Sequence, residues 1–202
     1  DDLYYPVETS EIALEDSLVA APPEKKFNLW AVTREILETL LLTALIFFAV
    51  NALTARFKID GTSMNNTFQD GQYILVSRVN YVVFNPQRGD VVVFVPPNSP
   101  ENSFWERILG LPGETDFIKR VIGVPGDEIA IDQGRVYVNG VLLYEPYIRE
   151  PMFSNSPQSW VLGTDQYFVM GDNRNASQDS RLPHIGPISK TRMVGQVLAI
   201  YF

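Results

Sequence analysis

The sequence predicts a mostly β protein, in which a single barrel-like β domain follows one N-terminal transmembrane helix. Two observations lead to this prediction. Residues 39–55 carry no charge, and after Lys58 the chain consists of short runs rich in Val, Ile, Tyr and Phe, separated by turn residues. No internal repeat and no second long helical pattern is visible, which favours one β domain after the helix.

Charge is distributed unevenly along the 202 residues, 46% of which are apolar. This composition excludes a disordered chain, and the net charge of −8 argues against binding to nucleic acid. Residues 1–24 hold seven acids and no Lys or Arg, whereas residues 25–58 hold five bases and two acids. We therefore expect an acidic, mobile tail over residues 1–24, a transmembrane helix with its flanks over 25–58, and a β domain over 59–202.

The sequence contains no cysteine and a single histidine, His184. Disulfides, thiolate metal sites and a cysteine nucleophile are thereby excluded. A site built from several histidines, or a Ser/His/Asp centre, is disfavoured. A serine nucleophile in this chain would need a different base.

The uncharged run over residues 39–55 predicts the helix that spans the membrane. Its 17 residues lie at the short end of what crosses about 30 Å of hydrocarbon, so a buried core helix remains an alternative. A cleaved secretory signal fits less well, because the run follows an acidic tail and no small-residue cleavage site precedes Arg56. Three bases before the run and two after it favour a cytoplasmic N-terminus only weakly.

The predicted β-strands are separated by Gly, Asn, Asp and Pro in the combinations that mark turns. The turn signals are Asp70-Gly71, Arg88-Gly89-Asp90, Pro125-Gly126-Asp127, Asp132-Gln133-Gly134, Asn139-Gly140 and Gly171-Asp172-Asn173. Residues 96–114 are expected to form a loop with an apolar patch, either facing the membrane or anchored in the domain. The patch consists of Phe104, Trp105, Ile108 and Leu109.

Two short stretches place a serine and a lysine where they could act together. Ser63 lies in a turn just past the predicted helix, and Lys119 lies within the apolar run from Phe117 to Gly123. Strand alternation puts Lys119 on one face with Phe117 and Val121. Burial there would favour a neutral amine that can deprotonate a serine hydroxyl. An edge-strand lysine that reaches water is the alternative.

A polar stretch over residues 170–181 contains Gly, Asp, Asn, Ser and Arg side chains. It fits an ordinary turn between strands. It could also supply the hydroxyl and carboxylate groups that orient an amine base.

Taken together, these stretches resemble the type I signal peptidases of the leader peptidase family, membrane-anchored enzymes with a Ser/Lys dyad. The resemblance runs from about residue 37 to the end of the chain. It is carried by Gly61-Thr62-Ser63-Met64 with Thr67, Arg88-Gly89-Asp90-Val91-Val92-Val93-Phe94, Lys119-Arg120-Val121-Ile122-Gly123-Val124-Pro125-Gly126-Asp127, and Gly171-Asp172-Asn173-Arg174 with Ser177, Asp179, Ser180 and Arg181.

The resemblance implies Ser63 as the nucleophile and Lys119 as the general base. Ser177 would hydrogen-bond and orient the lysine, and the Ser63 backbone N–H would contribute to the oxyanion hole. Two supporting ion pairs are implied as well. They are Asp179 with Arg181, and Asp172 with Arg120.

The chain departs from the family pattern in three places. Gly61 stands where some members have a serine that donates a second hydrogen bond to the oxyanion. Asn66 stands where the family usually has proline. Asn175-Ala176 replaces the usual Asp-Asn pair. Neither Asn66 nor Asn175-Ala176 removes a catalytic group, whereas Gly61 leaves open which group completes the oxyanion hole.

The implied activity is cleavage of signal peptides from exported precursors after small residues of the Ala-X-Ala type, through an acyl-enzyme and without metal or cofactor. The substrate would bind as an added extended strand beside apolar pockets. The expected pocket walls are Ile59, Met64, Phe68, Phe117 and Ile118. The expected partners are these precursors and the lipid bilayer, with no nucleic acid. The chain would cross the membrane once, with its N-terminus cytoplasmic and the β domain on the outer face.

Two other functions are consistent with parts of the sequence. A self-cleaving repressor-type protease uses a Ser/Lys dyad on a related fold, but that class is soluble and carries a DNA-binding domain. A catalytically inactive, membrane-tethered β domain could bind export substrates, although it would have no need of a lysine on an apolar strand face.

Overall fold

An apolar helix leads directly into the first β-strand of this chain. The computed structural model describes residues 28–100, 116–153 and 156–201. The helix α1 spans Leu29–Leu53, and 25 residues extend about 37 Å, enough to cross the hydrocarbon of a bilayer. No residue of α1 is buried, whereas a core helix of a soluble protein buries one face. The predicted N-terminal apolar helix is confirmed, with a length consistent with a single-pass membrane anchor.

The chain divides into two compact units inside α1, the first ending at Leu40 and the second beginning at Leu41. The predicted acidic tail and the predicted apolar patch of the 96–114 loop lie outside the described residues.

Eleven strands, one short helix and a 3-10 turn follow α1 in the described residues, so the mostly β prediction is confirmed. They are β1 (Thr54–Lys58), β2 (Tyr73–Ser77), α2 (Asn80–Val83), β3 (Val91–Phe94), β4 (Phe117–Gly123), β5 (Glu128–Asp132), β6 (Arg135–Val138), β7 (Val141–Leu142), β8 (Gln158–Val161), β9 (Gln166–Met170), β10 (Ile188–Ser189), the 3-10 turn (Lys190–Arg192) and β11 (Met193–Tyr201).

The strands form two antiparallel sheets. The larger sheet curls as a half-barrel with the strand order β1-β2-β11-β3-β4-β9-β10, and the smaller has the order β7-β6-β5-β8. Asn139 and Gly140 join β6 to β7 with φ angles of 52° and 77°, the left-handed conformation that a tight hairpin needs. The larger sheet brings the ends of β1, β4 and β9 to one region, and these strands lead into or contain the predicted site residues.

Buried apolar side chains form three clusters. The first lies beneath β1 and β2 and consists of Ala55, Phe57, Ile59, Met64, Phe68, Ile74, Val76 and Val93. The second packs β3, β4 and β9 against the segment that follows residue 180. The third joins the smaller sheet to the larger through Phe168 and Met170 of β9. Both sheets therefore support the strand that leads into the polar stretch at residue 171.

Strand β11 passes between β2 and β3 with two shifts in register, one of them between Met193 and Gly195. At Gly195 the backbone of the neighbouring strand comes very close. An ideal Cβ on this residue would lie 2.1 Å from the carbonyl oxygen of Ser77. The strand pairing therefore requires glycine here.

We expect Gly195→Ala to lower the free energy of unfolding by about 1–3 kcal/mol, because the new methyl group must push a paired strand aside. Denaturant unfolding of the detergent-solubilised chain measures this change. Gly163→Ala is the matched control, since a Cβ there would meet only the flexible side chain of Gln166, at 3.3 Å. Equal stability of the two variants would contradict the close approach at Gly195.

Candidate active site

Ser63 lies in a hydrogen-bonded turn over residues 61–68, between β1 and β2. We call it the nucleophile turn, after the role that the resemblance implies for Ser63. The turn is closed by hydrogen bonds from the Asn65 N–H to the Thr62 carbonyl and from the Phe68 N–H to the Met64 carbonyl. At its start, the Gly61 N–H donates to Asp70 Oδ1 over 2.8 Å. These bonds hold Ser63 just after β1, the edge strand of the larger sheet.

Asn66, at the position where the family usually has proline, adopts a φ of 90°. Proline cannot reach this left-handed region because its ring holds φ near −65°, whereas asparagine tolerates it better than most residues. The backbone conformation at position 66 is therefore one that asparagine can adopt and proline cannot.

Lys119 lies in β4, where it pairs with Val92 of β3. Its side chain is only 4% exposed. The Nζ atom lies 2.8 Å from Ser63 Oγ and 2.8 Å from the Ile118 carbonyl oxygen. The structure thus brings together the two residues that the resemblance implies as nucleophile and base.

Burial lowers the pKa of Lys119 to about 8, because removal from water disfavours the ammonium form. The carboxylates of Asp179 and Asp172 act in the opposite direction and raise this pKa, while the guanidinium of Arg181 lowers it. A neutral amine is therefore substantially populated in mildly alkaline solution. Such an amine, in contact with a hydroxyl, can act as a general base.

Arg120, the next residue in β4, donates two hydrogen bonds to Asp172, from Nε over 2.8 Å and from Nη2 over 2.6 Å. Asp172 is buried and also accepts a hydrogen bond from the hydroxyl of Thr67, in the nucleophile turn. Bidentate pairing of this kind fixes geometry as well as charge. The Arg120–Asp172 pair links β4 to the segment after β9, and the Thr67 hydroxyl joins the nucleophile turn to the same carboxylate. It is the pairing that the resemblance implies.

Asp179 and Arg181 also pair as the resemblance implies. Arg181 donates from Nε to Asp179 Oδ1 over 2.7 Å and from Nη2 to Oδ2 over 2.8 Å. Asp179 is fully buried and accepts a further bond from the Gly171 N–H over 3.0 Å. The ion pair thereby holds the backbone beside the dyad.

Ser177 differs from the implied arrangement. Its Oγ is buried but makes no hydrogen bond to Lys119 or to any other described residue. The hydroxyl packs against Gly171, where an ideal Cβ would lie 2.3 Å from it, and Lys119 bonds to Ser63 and to the Ile118 carbonyl instead. Ser177 lies in the site, but the hydrogen bond that would orient the lysine is not formed.

Asn173 is a residue whose part in this site the sequence reasoning missed. Its backbone N–H donates to the Ser63 carbonyl over 3.0 Å, and its side chain donates to the Thr62 carbonyl over 3.1 Å. The carbonyls of Thr62 and Ser63 are thus both held by Asn173. The sequence signals were the position of Asn173 in the polar stretch and in the block Gly171-Asp172-Asn173-Arg174 that resembles the family.

A cleft of about 620 Å³ opens beside the dyad. Three of the predicted pocket residues, Ile59, Phe117 and Ile118, line it. Met64 and Phe68 do not line this cleft; the turn after Ser63 directs both side chains into the first cluster, where they are 1% and 5% exposed. Further lining residues not predicted are Phe57, Lys58, Asp60, Gly61, Thr62, Ile74, Val93, Asp116, Ala176 and Gln178.

The Ser63 N–H makes no hydrogen bond to any residue in the described part of the chain. It is therefore available to an oxyanion that forms next to Oγ. Gly61 offers no side-chain donor, and its N–H is engaged with Asp70. Among the described residues, no cluster of three or more His, Asp or Glu side chains could hold a metal ion.

The chain is similar to known proteins over most of its length. The sequence model of the family described as "Signal peptidase, peptidase S26" matches residues 32–202. The chain is 32% identical to the probable signal peptidase I-2 of Synechocystis over 189 residues, covering 90% of this chain and 76% of that protein. It is 35% identical to signal peptidase I V of Bacillus subtilis over 161 residues, covering 73% of this chain and 85% of that protein.

A solved structure of a signal peptidase I from Enterococcus faecalis is 27% identical, with a TM-score of 0.44, over 57% of this chain and 97% of that one. The family match extends from within α1 to the final residue and includes both Ser63 and Lys119. The chain therefore belongs to the signal peptidase family, peptidase S26.

Proposed function

We propose that Ser63 is the nucleophile and Lys119 the general base with which this chain, a signal peptidase I and serine endopeptidase, cleaves signal peptides from precursor proteins. The observation that carries the proposal is the 2.8 Å contact between Lys119 Nζ and Ser63 Oγ at the edge of the cleft. The burial of Lys119 supports it, because a desolvated amine gives up its proton more easily.

The reaction proceeds through an acyl-enzyme. Neutral Lys119 accepts the Ser63 hydroxyl proton while Oγ attacks the carbonyl carbon of the scissile bond, and the Ser63 N–H stabilises the resulting oxyanion. The C–N bond then breaks, and the ammonium of Lys119 returns the proton to the departing amine of the mature protein. Lys119 next accepts a proton from a water molecule as its oxygen attacks the ester carbonyl. The C–Oγ bond then breaks, the ammonium of Lys119 returns the proton to Ser63 Oγ, and the signal peptide leaves with a free carboxylate.

The substrate is an extended peptide with small residues before the scissile bond. The cleft runs between the segment after β1 and the start of β4, and Ile59, Phe117 and Ile118 give it apolar walls. An added strand can bond to backbone groups there while alternate side chains enter the pockets. Two carboxylates, Asp60 and Asp116, also line the cleft.

We place the N-terminus on the cytoplasmic side, with the β domain on the outer face and against the bilayer surface. Three bases between residues 25 and 34 precede the uncharged run over residues 39–55, and two, Arg56 and Lys58, follow it closely. Ser77 pairs with Thr54, the first residue after α1, and α2 begins three residues beyond Ser77. Three exposed apolar side chains lie together in this region beside the helix end, and they suit contact with lipid. They are Val82, Val83 and Phe84.

Replacement of either dyad residue tests the chemistry. We expect Ser63→Ala and Lys119→Ala each to reduce cleavage of a signal-peptide precursor by at least about 1,000-fold, since nucleophile and base act as a unit. Gel analysis of detergent-solubilised enzyme with the precursor measures the rate. Ser159→Ala and Lys190→Ala are matched controls and should cleave as wild type does. An intact precursor with wild-type enzyme would favour an inactive binding domain instead.

The rate should depend on pH through Lys119. Because only the neutral amine accepts a proton, and burial lowers the pKa of Lys119 to about 8, kcat/KM should fall about tenfold for each pH unit below that value. Initial rates between pH 5 and 10 measure the profile, with circular dichroism verifying that the fold persists. A rate that stays constant from pH 8 down to pH 6 would exclude a lysine base.

Protease digestion of spheroplasts tests the orientation of the chain in the membrane. In spheroplasts of a bacterium expressing the full chain with an N-terminal epitope tag, added protease should digest the β domain and leave the tag attached to a protected fragment. Disruption of the membrane should then expose the tag. Digestion of the tag before the β domain would reverse the proposed topology.

A further inference from the structure

A segment between β7 and β8 crosses to the polar stretch of the active site. We call residues 143–153 the strap and residues 171–181 the catalytic loop. Asn175 joins the two, because its side-chain Nδ2 donates to the Pro151 carbonyl over 3.0 Å and its Oδ1 accepts from the Phe153 N–H over 2.9 Å. The strap is therefore bound to the loop at its far end.

The near end of the strap reaches the loop through a buried ion pair. Glu145 accepts two hydrogen bonds from Arg174, one of them from Nη1 over 2.9 Å, and both side chains are almost completely buried. Arg174 in turn donates from Nε to the Gly171 carbonyl over 3.1 Å. The carboxylate of the strap thus fixes an arginine that holds the backbone beside Ser63.

Tyr147 of the strap lies between two arginines of the site. The guanidinium carbon of Arg120 is 4.2 Å from the centre of the Tyr147 ring, and that of Arg174 is 5.9 Å from it. The Tyr147 hydroxyl donates to Glu145 Oε1 over 3.1 Å. A cation against an aromatic face is attracted to it, more strongly where water is excluded. The ring therefore restrains the arginine that pairs with Asp172.

We propose that Tyr147 is a positioning residue for the Ser63/Lys119 dyad, acting on Arg120 through its ring. The inference rests on the proposed function. Arg120 is the direct neighbour of Lys119 in β4, and its partner Asp172 also holds Thr67 in the nucleophile turn. Movement of the Arg120 guanidinium would therefore reach both members of the dyad.

The strap contributes nothing to the lining of the cleft in the described structure. Tyr147 should therefore affect the chemical step and leave peptide binding unchanged. Because a small displacement of catalytic groups has a large effect on rate, we expect Tyr147→Ala to lower kcat about tenfold with KM within about twofold of wild type. Tyr147→Phe keeps the ring over Arg120 and should retain kcat within about threefold of wild type.

The experiment measures kcat and KM for the full-length enzyme in detergent, with the folded fraction of each variant determined at the assay temperature. Tyr144→Ala is the matched control, because Tyr144 lies in the same strap but is 84% exposed. It should behave as wild type.

Three results would overturn the positioning role: wild-type kcat in Tyr147→Ala, equal losses in the alanine and phenylalanine variants, or a loss in Tyr147→Ala that the unfolded fraction explains. Absence of cleavage by the wild-type enzyme itself would instead contradict the proposed function, so the two failures are distinguishable.

Discussion

The active site depends on keeping a primary amine almost free of water beside a serine hydroxyl. Burial alone would lower the pKa of Lys119, but two carboxylates, Asp172 and Asp179, face it and favour the charged form. Each of these acids is paired with an arginine through two hydrogen bonds. Arg181 acts against these carboxylates and lowers the pKa of Lys119, so Asp179 can organise the backbone with less effect on the protonation of the amine. The Asp179–Arg181 pair therefore contributes to reactivity as well as to geometry.

Gly171 lies where the catalytic loop passes closest to the nucleophile turn. A Cβ at this position would lie 2.3 Å from Ser177 Oγ and 2.5 Å from the Ser63 carbonyl oxygen. Its N–H and carbonyl are both engaged, by Asp179 and by Arg174. The nucleophile turn and the catalytic loop consequently approach each other closely enough for Asn173 to bond to the turn. Close backbone approach, rather than any one side chain, sets the distance between the two segments.

Local patterns predicted the helix, the strands and the buried face of Lys119, because strand alternation and the uncharged run depend only on neighbouring residues. The pairing of Ser63 with Lys119 was implied by the family resemblance and not by these patterns. Alternation along β4 correctly placed Lys119 on a buried face. The contacts of Asn173 and Tyr147 could not be predicted in this way, since each joins segments far apart in the chain. The inward direction of Met64 and Phe68 could not be predicted from local patterns either, because the hydrogen-bonded turn after Ser63 sets it. Strand alternation puts Phe57 on the same face as Ile59, so this pattern could have predicted that Phe57 also lines the cleft.

The nucleophile turn shows how long-range contacts can replace a local constraint. Proline at position 66 would restrict the backbone covalently, but the φ of 90° at Asn66 is inaccessible to it. Here the turn is held instead by hydrogen bonds to Asp70, to Asp172 and from Asn173. Two of these three partners lie after β9, in the loop that the strap also holds. The position of Ser63 therefore depends on the order of that loop, and Arg120 couples the same loop to Lys119 through Asp172.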